Sequence, residues 1–303
     1  MLDVINKKYL YLGFSAILVF ASWVLMLSLG LRQGIDLTGG TQWQIAFSKS
    51  TSTAAINEAL VQRTILSVAP KGTEAIVKRS GNSFIIRLPA TSEEEHQAYR
   101  TALQKLGNLD EQNFSSIGPT IGHELRQKSI WAIILVLFGI SLYIAYAFRK
   151  VSKPISSWKY GLATLISLFH DVSIPAGMLA FLGWHSGIEI DTNFIVALLV
   201  VMGFSVHDTI VVFDRIRENV LLSRGRGLSL HDVIVKSIRE TFARSVNTSL
   251  TLILVLLALI FFGPPSLFYF VLTILVGTIF GTYSSIFIAS PLLYIMGGKK
   301  GSG

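Results

Sequence analysis

The chain has 303 residues and no cysteine, which excludes disulfide staples and thiolate metal sites. Charge is scarce. Asp, Glu, Lys and Arg make up 15% of the residues, against 51% hydrophobic, a balance that points away from soluble domains. Acidic residues are the scarcer sign, 18 against 26 basic, giving a formal net charge of +8. The basic excess sits mainly in short segments between apolar runs and does not read as a nucleic-acid surface. No Gly-x-x-x-x-Gly-Lys-Ser/Thr loop occurs, so a P-loop nucleotide site is absent. The first apolar run follows Lys7 and Lys8 as in a signal peptide, but it lacks an Ala-x-Ala cleavage site and is long enough to be a retained span.

What the chain does have is long apolar runs. Six are long enough to span a bilayer: Tyr11–Leu31, Ser129–Phe148, Tyr160–Leu182, Thr192–Phe213, Val246–Phe262 and Leu267–Tyr294. The last is overlong and is expected to end near Ser290-Pro291. Lys and Arg fix the orientation. They cluster at Lys7 and Lys8, in the second-to-third loop (Arg149, Lys150, Lys153, Lys159), in the fourth-to-fifth loop (Arg215 through Arg244) and at Lys299 and Lys300. The short loops Gly183–Asp191 and Gly263–Ser266 carry none. Both termini are therefore expected inside. Residues 1–31 read as the cytoplasmic N-terminus and first span, 32–128 as an extracytoplasmic domain, 129–296 as five further spans with a cytoplasmic loop at 214–244, and 297–303 as a cytoplasmic tail.

The hydrophilic segment 32–128 has a legible order. Thr41–Phe47 alternates as a strand, and Ser52–Leu66 reads as a helix with Ser/Thr at its start. Glu74–Arg79 and Ser83–Leu88 form a hairpin across Ser80-Gly81-Asn82. Thr91–Leu106 is a helix whose first turn is acidic, and Glu111–Ile117 is a last strand. This is β-α-β-β-α-β, a ferredoxin-like α+β module on an otherwise α-helical polytopic membrane protein. His96 falls at the helix start and reads as a surface residue. Beyond the fourth span, Ser223-Arg224-Gly225-Arg226-Gly227 is a basic turn. Leu228–Phe242 then has apolar residues at helical spacing and is expected on the membrane surface.

Three polar sites interrupt the spans. His170-Asp171 lies deep in the third, followed by Pro175 and Gly177. His207-Asp208 lies in the fourth, where Thr209 to Phe213 continues the apolar pattern. Arg244, Asn247 and Thr248 open the fifth. An acid at such depth costs roughly 2.5–3.5 kcal/mol on insertion scales, so each is a functional candidate by default. Arg244 is a counter-ion candidate for Asp208, or a snorkelling positive-inside residue. Ser245, Thr248 and Ser249 read first as small residues that pack helices closely. A metal site would need imidazole and carboxylate to converge from two helices, while adjacent helical residues point about 100° apart. An aspartyl protease would need Asp171 and Asp208 to share a proton, but their depths differ and no Gly-x-Gly-Asp context is present.

Ordered motifs then accumulate: Gly34-Ile35-Asp36-Leu37-Thr38-Gly39-Gly40 after the first span, and Gly118-Pro119-Thr120-Ile121-Gly122-His123-Glu124-Leu125 before the second. Phe169-His170-Asp171-Val172, the stretch Asp208 to Asn219, and Asn247-Thr248-Ser249-Leu250-Thr251 follow. Over nearly its whole length the chain resembles the SecF family of bacterial protein-export subunits, relatives of the proton-driven RND transporters. The resemblance implies a non-enzymatic membrane subunit without a cofactor. It would pair with a SecD-like subunit and use the proton-motive force to assist late export of unfolded proteins at the SecYEG translocon, with its associated insertase and YajC, in the inner membrane. It places the family's intramembrane acid on Asp208 and its arginine on Arg244, with Asp171 in reserve. His207, His170, Asp214 and Thr248 are candidate modulators, and Gly34, Asp36, Thr38, Gly39 and Gly40 form the family motif. One departure is His207, where the family commonly has Asn; imidazole titrates near neutral pH. The alternative is an RND-type small-molecule exporter subunit, against which the small size of the outer module argues.

Overall fold

The computed structural model describes residues 4–50, 56–149, 155–223 and 228–297. The Ser/Thr cluster at 51–55, Lys150, Lys153, the basic turn from Arg224 to Gly227, and Lys299 and Lys300 lie outside the described residues. The chain forms two compact units, Gln33–Ile130, and Met1–Arg32 with Trp131–Gly303.

The first unit is built on a four-stranded sheet. Its elements are a short helix α2 (Ile35–Thr38), β1 (Gly40–Ser50), α3 (Glu58–Val68), β2 (Ile76–Ser80), β3 (Ser83–Leu88), α4 (Glu93–Gln104) and β4 (Gly107–Ile117). The strand order is β2-β3-β1-β4, all antiparallel, which is the expected ferredoxin-like arrangement. Trp43 on β1 lies opposite Ile86 on β3 and Phe114 on β4. Val61 and Ile65 of α3, and Tyr99 and Leu103 of α4, each one turn apart, bury the helices against this face. The cap of α3 is Asn57, whose side chain accepts from the Leu60 N–H at 2.9 Å. The helix therefore starts later than Ser52. Ser92 and Glu95 form a reciprocal capping box on α4.

His96 is buried, contrary to the surface reading. It lies three residues before Tyr99 and seven before Leu103, on the same face of α4. Its ring stacks on Phe114 at 3.7 Å between centroids, and Nε2 lies 3.0 Å from Glu111. The double glycine sits at the entry to β1 with φ of +77° at Gly39 and +120° at Gly40. A Cβ on Gly39 would come within 2.7 Å of the Pro119 backbone, and one on Gly122 would strike the Gly39 backbone. The two glycine motifs, far apart in sequence, are thus one close backbone contact.

The second unit is helical. It contains α1 (Lys8–Leu29), α6 (Ser157–Ser186), α7 (Thr192–Leu222) and α8 (Leu230–Phe262), and most of α5 (Pro119–Ala147). The last span comprises α9 (Phe268–Ser284), a π-helical turn Ser285–Ala289, and α10 (Ser290–Gly297). Among the described residues, six helices are long and apolar enough to cross a membrane. Small residues set the closest approaches: Gly177 against Ser22, Gly277 against Val201 and Gly281 against Ser205. Pro175 sits inside α6 without ending it. Its missing N–H leaves the carbonyl of Asp171, four residues back, without a helical donor.

Two boundaries differ from the sequence reading. Leu228–Phe242 is not a separate surface helix: from Leu230 onward it is the first part of α8, which contains neither Gly nor Pro across 33 residues. At about 1.5 Å per residue this helix outruns the hydrocarbon core. Its first apolar face, Val233, Ile234 and Ile238, is buried with Ile216, Val220 and Leu293, not spread on lipid. The last span does not end at Ser290-Pro291. The π turn comes first, the Ser290 hydroxyl donates to the Ser285 carbonyl at 3.1 Å, and helix continues to Gly297.

Candidate functional site

α6, α7 and the last span bring polar side chains together inside the helical unit. Asp171 lies about midway along α6 and is fully buried. Its carboxylate accepts three bonds: from Ser205 Oγ of α7 at 2.5 Å, from Ser284 Oγ of α9 at 2.6 Å, and from His170 Nδ1–H at 2.8 Å. Three donors on one buried carboxylate replace the water that it has lost.

Asp208 lies on α7, three residues after Ser205 and so one turn along the same face. It is buried, and its carboxylate accepts from Ser285 Oγ at 2.5 Å. Each serine hydroxyl has a second acceptor within its own helix, Gly281 O for Ser284 at 3.1 Å and Thr282 O for Ser285 at 2.9 Å. A hydroxyl has one proton to give, and in both cases the carboxylate is the nearer acceptor. Two consecutive residues of the last span therefore hold two acids on two different helices. Beside them, Ser249 of α8 and Thr282 share a hydrogen bond of 2.5 Å.

The other sequence candidates lie elsewhere. Arg244 is exposed on α8, forms no ion pair among the described residues, and is not brought to Asp208. His207 and Thr248 are also exposed. Asp214 is exposed and lies 3.7 Å from Arg217. Gly34, Asp36, Thr38, Gly39 and Gly40 belong to the sheet unit, where Thr38 Oγ1 donates to the Gly34 carbonyl at 3.0 Å. Sequence reasoning missed Ser205, Ser284 and Ser285. The available signal was a serine pair inside an otherwise apolar span. It also missed the tie between α7 and α8, in which Arg215 and Asn219 both bond Glu240, at 2.6 and 2.8 Å. No group of three His, Cys, Asp or Glu among the described residues has metal-site spacing.

Six spans, an α+β module and two buried acids between helices define a multi-pass membrane protein of the transport kind. The comparisons narrow this. Residues 98–299 match the family model for the C-terminal part of the protein export membrane proteins SecD/SecF, and residues 24–51 match the SecD/SecF GG motif. The chain belongs to the SecD/SecF family. It is 43% identical to the protein translocase subunit SecF of Thermobaculum terrenum, over 97% of this chain and 93% of that one. It is 35% identical to the SecF subunit of Sebaldella termitidis, over 97% and 92%. Among solved structures, it superposes on the translocon-associated membrane protein SecDF from Thermus thermophilus with a TM-score of 0.79 and 32% identity. That match covers 97% of this chain and 38% of the SecDF chain.

Proposed function

We propose that this chain is the SecF-type half of a SecD–SecF exporter that uses the proton-motive force to assist late protein export through the Sec translocon. The observation that carries this is the pair of buried carboxylates, Asp171 and Asp208, held by adjacent serines of one span. A proton-driven cycle needs an acid whose charge is costly in place and whose neutralisation loosens its contacts. Protonation removes the charge that makes a serine bond strong; deprotonation restores it. The membrane potential supplies about 2.3 kcal/mol per charge per 100 mV.

Asp208 is the proton-responsive group in this reading, with Arg244 as its electrostatic partner in a state of the cycle other than the serine-bonded one, and Asp171 as the reserve site. Exposed polar side chains within the spans, Arg244, Asn247 and Thr248 on α8 and His207 on α7, support a second, SecD-like membrane subunit covering that face. Both termini lie in the cytoplasm and the sheet unit outside. An impermeant thiol reagent on intact cells should label Ser80→Cys and spare Ser223→Cys; the reverse pattern refutes that orientation.

The central test uses inverted membrane vesicles carrying the full complex and a slow-folding export reporter, with and without an uncoupler. Asp208→Asn keeps the shape and removes the charge change. It should abolish uncoupler-sensitive stimulation while the complex still assembles, and Arg244→Ala should behave alike. Full stimulation in Asp208→Asn refutes the assignment and moves the test to Asp171.

A further inference from the structure

In the sheet unit, α4 and β4 enclose a histidine between two carboxylates, and a bulge in β4 builds the arrangement. Trp43 of β1 pairs with Phe114 and Gln44 with Asn113, but Ile45 pairs with Glu111, so Gln112 is an extra residue. Residues three apart on a regular strand face opposite sides. The extra residue brings Glu111 and Phe114 to one side, that of Trp43 and Ile45, under the helices. Gln112 is held on the other side, where its side-chain carbonyl accepts from Gln44 Nε2 at 2.9 Å and from Ser83 Oγ at 2.8 Å. His96 of α4 meets the pair that the bulge presents. Its ring stacks on Phe114 at 3.7 Å, makes an edge contact with Trp43 at 4.9 Å, and places Nε2 3.0 Å from Glu111.

The other edge of the ring meets a second acid. Nδ1 is buried and has no hydrogen-bond partner, and Glu93 Oε2, three residues back on α4, lies 3.7 Å away. Gln97 Nε2 donates to Glu93 Oε1 at 2.7 Å, which leaves Oε2 turned to the ring. Neither neutral tautomer fits. With the proton on Nε2, Glu111 has its donor and the Nδ1 lone pair faces a carboxylate; with the proton on Nδ1, the same conflict moves to Glu111. Only the imidazolium has a donor on both edges, and a cation on the face of Phe114 is favoured as well. No Lys or Arg among the described residues forms an ion pair with Glu93 or Glu111, and Arg100, one turn along α4, forms none either. Glu95 is taken up by the Ser92 N–H at 2.9 Å. β1 gives Trp43 to this core and α3 gives Val61 and Ile65, all uncharged. The side chain of Glu93 is 70% exposed and that of Glu111 28%, so a proton reaches the ring from the Glu93 side.

We propose that His96 is a proton-operated latch, which fastens the first turn of α4 to β4 through a Glu93–His96–Glu111 bridge. As pH falls through the range in which imidazole takes up a proton, Nδ1 becomes a donor and draws in Glu93. As pH rises the proton leaves, Nδ1 faces the Glu93 carboxylate unpaired, and the first turn loosens. The closure is therefore strongest on the acidic side and weakens toward the alkaline side. Under the topology proposed above, the pH sensed is that of the outer compartment, which an energised membrane makes the more acidic one. The compartment depends on that topology; the latch does not.

Amide hydrogen exchange of the full chain in lipid nanodiscs reads the latch. Protection of residues 93–97 is compared at about pH 5.5 and about pH 8, on either side of the imidazole range, after correction for the intrinsic exchange rate. In the unmodified chain it should be about two- to fivefold greater at the lower pH, the range of a partly exposed ion pair, while β3 should not change. Glu93→Gln supplies an amide whose oxygen keeps the Gln97 bond and whose N–H serves the neutral Nδ1. It should show the higher protection at both pH values. Glu93→Ala removes the partner and should show the lower protection at both. His96→Gln has no proton to gain and should lose the pH response. Equal protection at the two pH values in the unmodified chain, or a pH response that survives in Glu93→Gln, overturns the proposal. Should His96→Gln fail to fold, the two Glu93 variants still decide it.

Discussion

α5 and α6 have 29 and 30 residues, and both are apolar enough to cross a membrane. Yet 61% of the most apolar stretch of α6 is buried and only 6% of that of α5. Hydrophobicity is not what separates them. The buried residues of α6 include Thr164, Ser167, His170, Asp171, Ser173 and Gly177. The apolar half of α5 presents Leu135, Phe138, Leu142 and Tyr146, spaced three to four residues apart, as one exposed stripe. In a bilayer, lipid tails are as apolar as Leu, so apolar surface gives no reason to pack inward. Small residues that permit close approach, and polar residues that require partners, decide which span is central.

The largest test of that contrast is Asp171→Ala. It strands the donors of His170, Ser205 and Ser284, and should cost about 2–4 kcal/mol even after the hydroxyls turn to helix carbonyls. The readout is the unfolding midpoint of the purified chain in mild detergent as SDS is added. A midpoint unchanged from the parent would mean that the cluster does not hold the inner helices. Next in size is Gly177→Val. Its Cβ would lie 2.5 Å from Ser22 Cβ on α1, so the helices must part, at about 1–3 kcal/mol. The loss of Trp23–Phe169 stacking should shift Trp fluorescence; an unaltered spectrum and midpoint would refute close packing there. The smallest effect belongs to α5. Leu142→Ala should change the midpoint of the isolated chain by less than about 0.5 kcal/mol. Repeated in a complex with a SecD-like subunit, a larger loss would show that the bare stripe of α5 faces protein.

Much of this was legible in the residues. The β3 strand, Ser83–Leu88, has the bounds that the sequence predicts, and the hairpin, the acidic first turn of α4 and the six apolar runs follow from local chemistry. Asp171 and Asp208 stood out because their cost in an apolar run is visible without a fold. What was hidden depended on partners. His96 at an acidic helix start looks solvated until Phe114, eighteen residues later, closes over it. The start of α8 looks like a surface helix because its binding face is α7 and α10, not lipid. Ser284 and Ser285 are ordinary small residues until α6 and α7 each present an acid to them. Arg244 pairs with Asp208 in the sequence by depth and by the family resemblance, and neither fixes the direction in which a side chain leaves its helix.

The π turn places Ser284 and Ser285 on either side of a change in helical winding. Such turns carry one residue more per hydrogen-bonded ring than an α-helix and recur where function needs give in a helix. Successive residues leave the axis in different directions, so one span reads two helices at once, like a single key engaging two tumblers. A twist that draws Ser285 from Asp208 also re-aims Ser284 at Asp171. The two carboxylates therefore hang on neighbouring residues of one span, one on each side of the π turn.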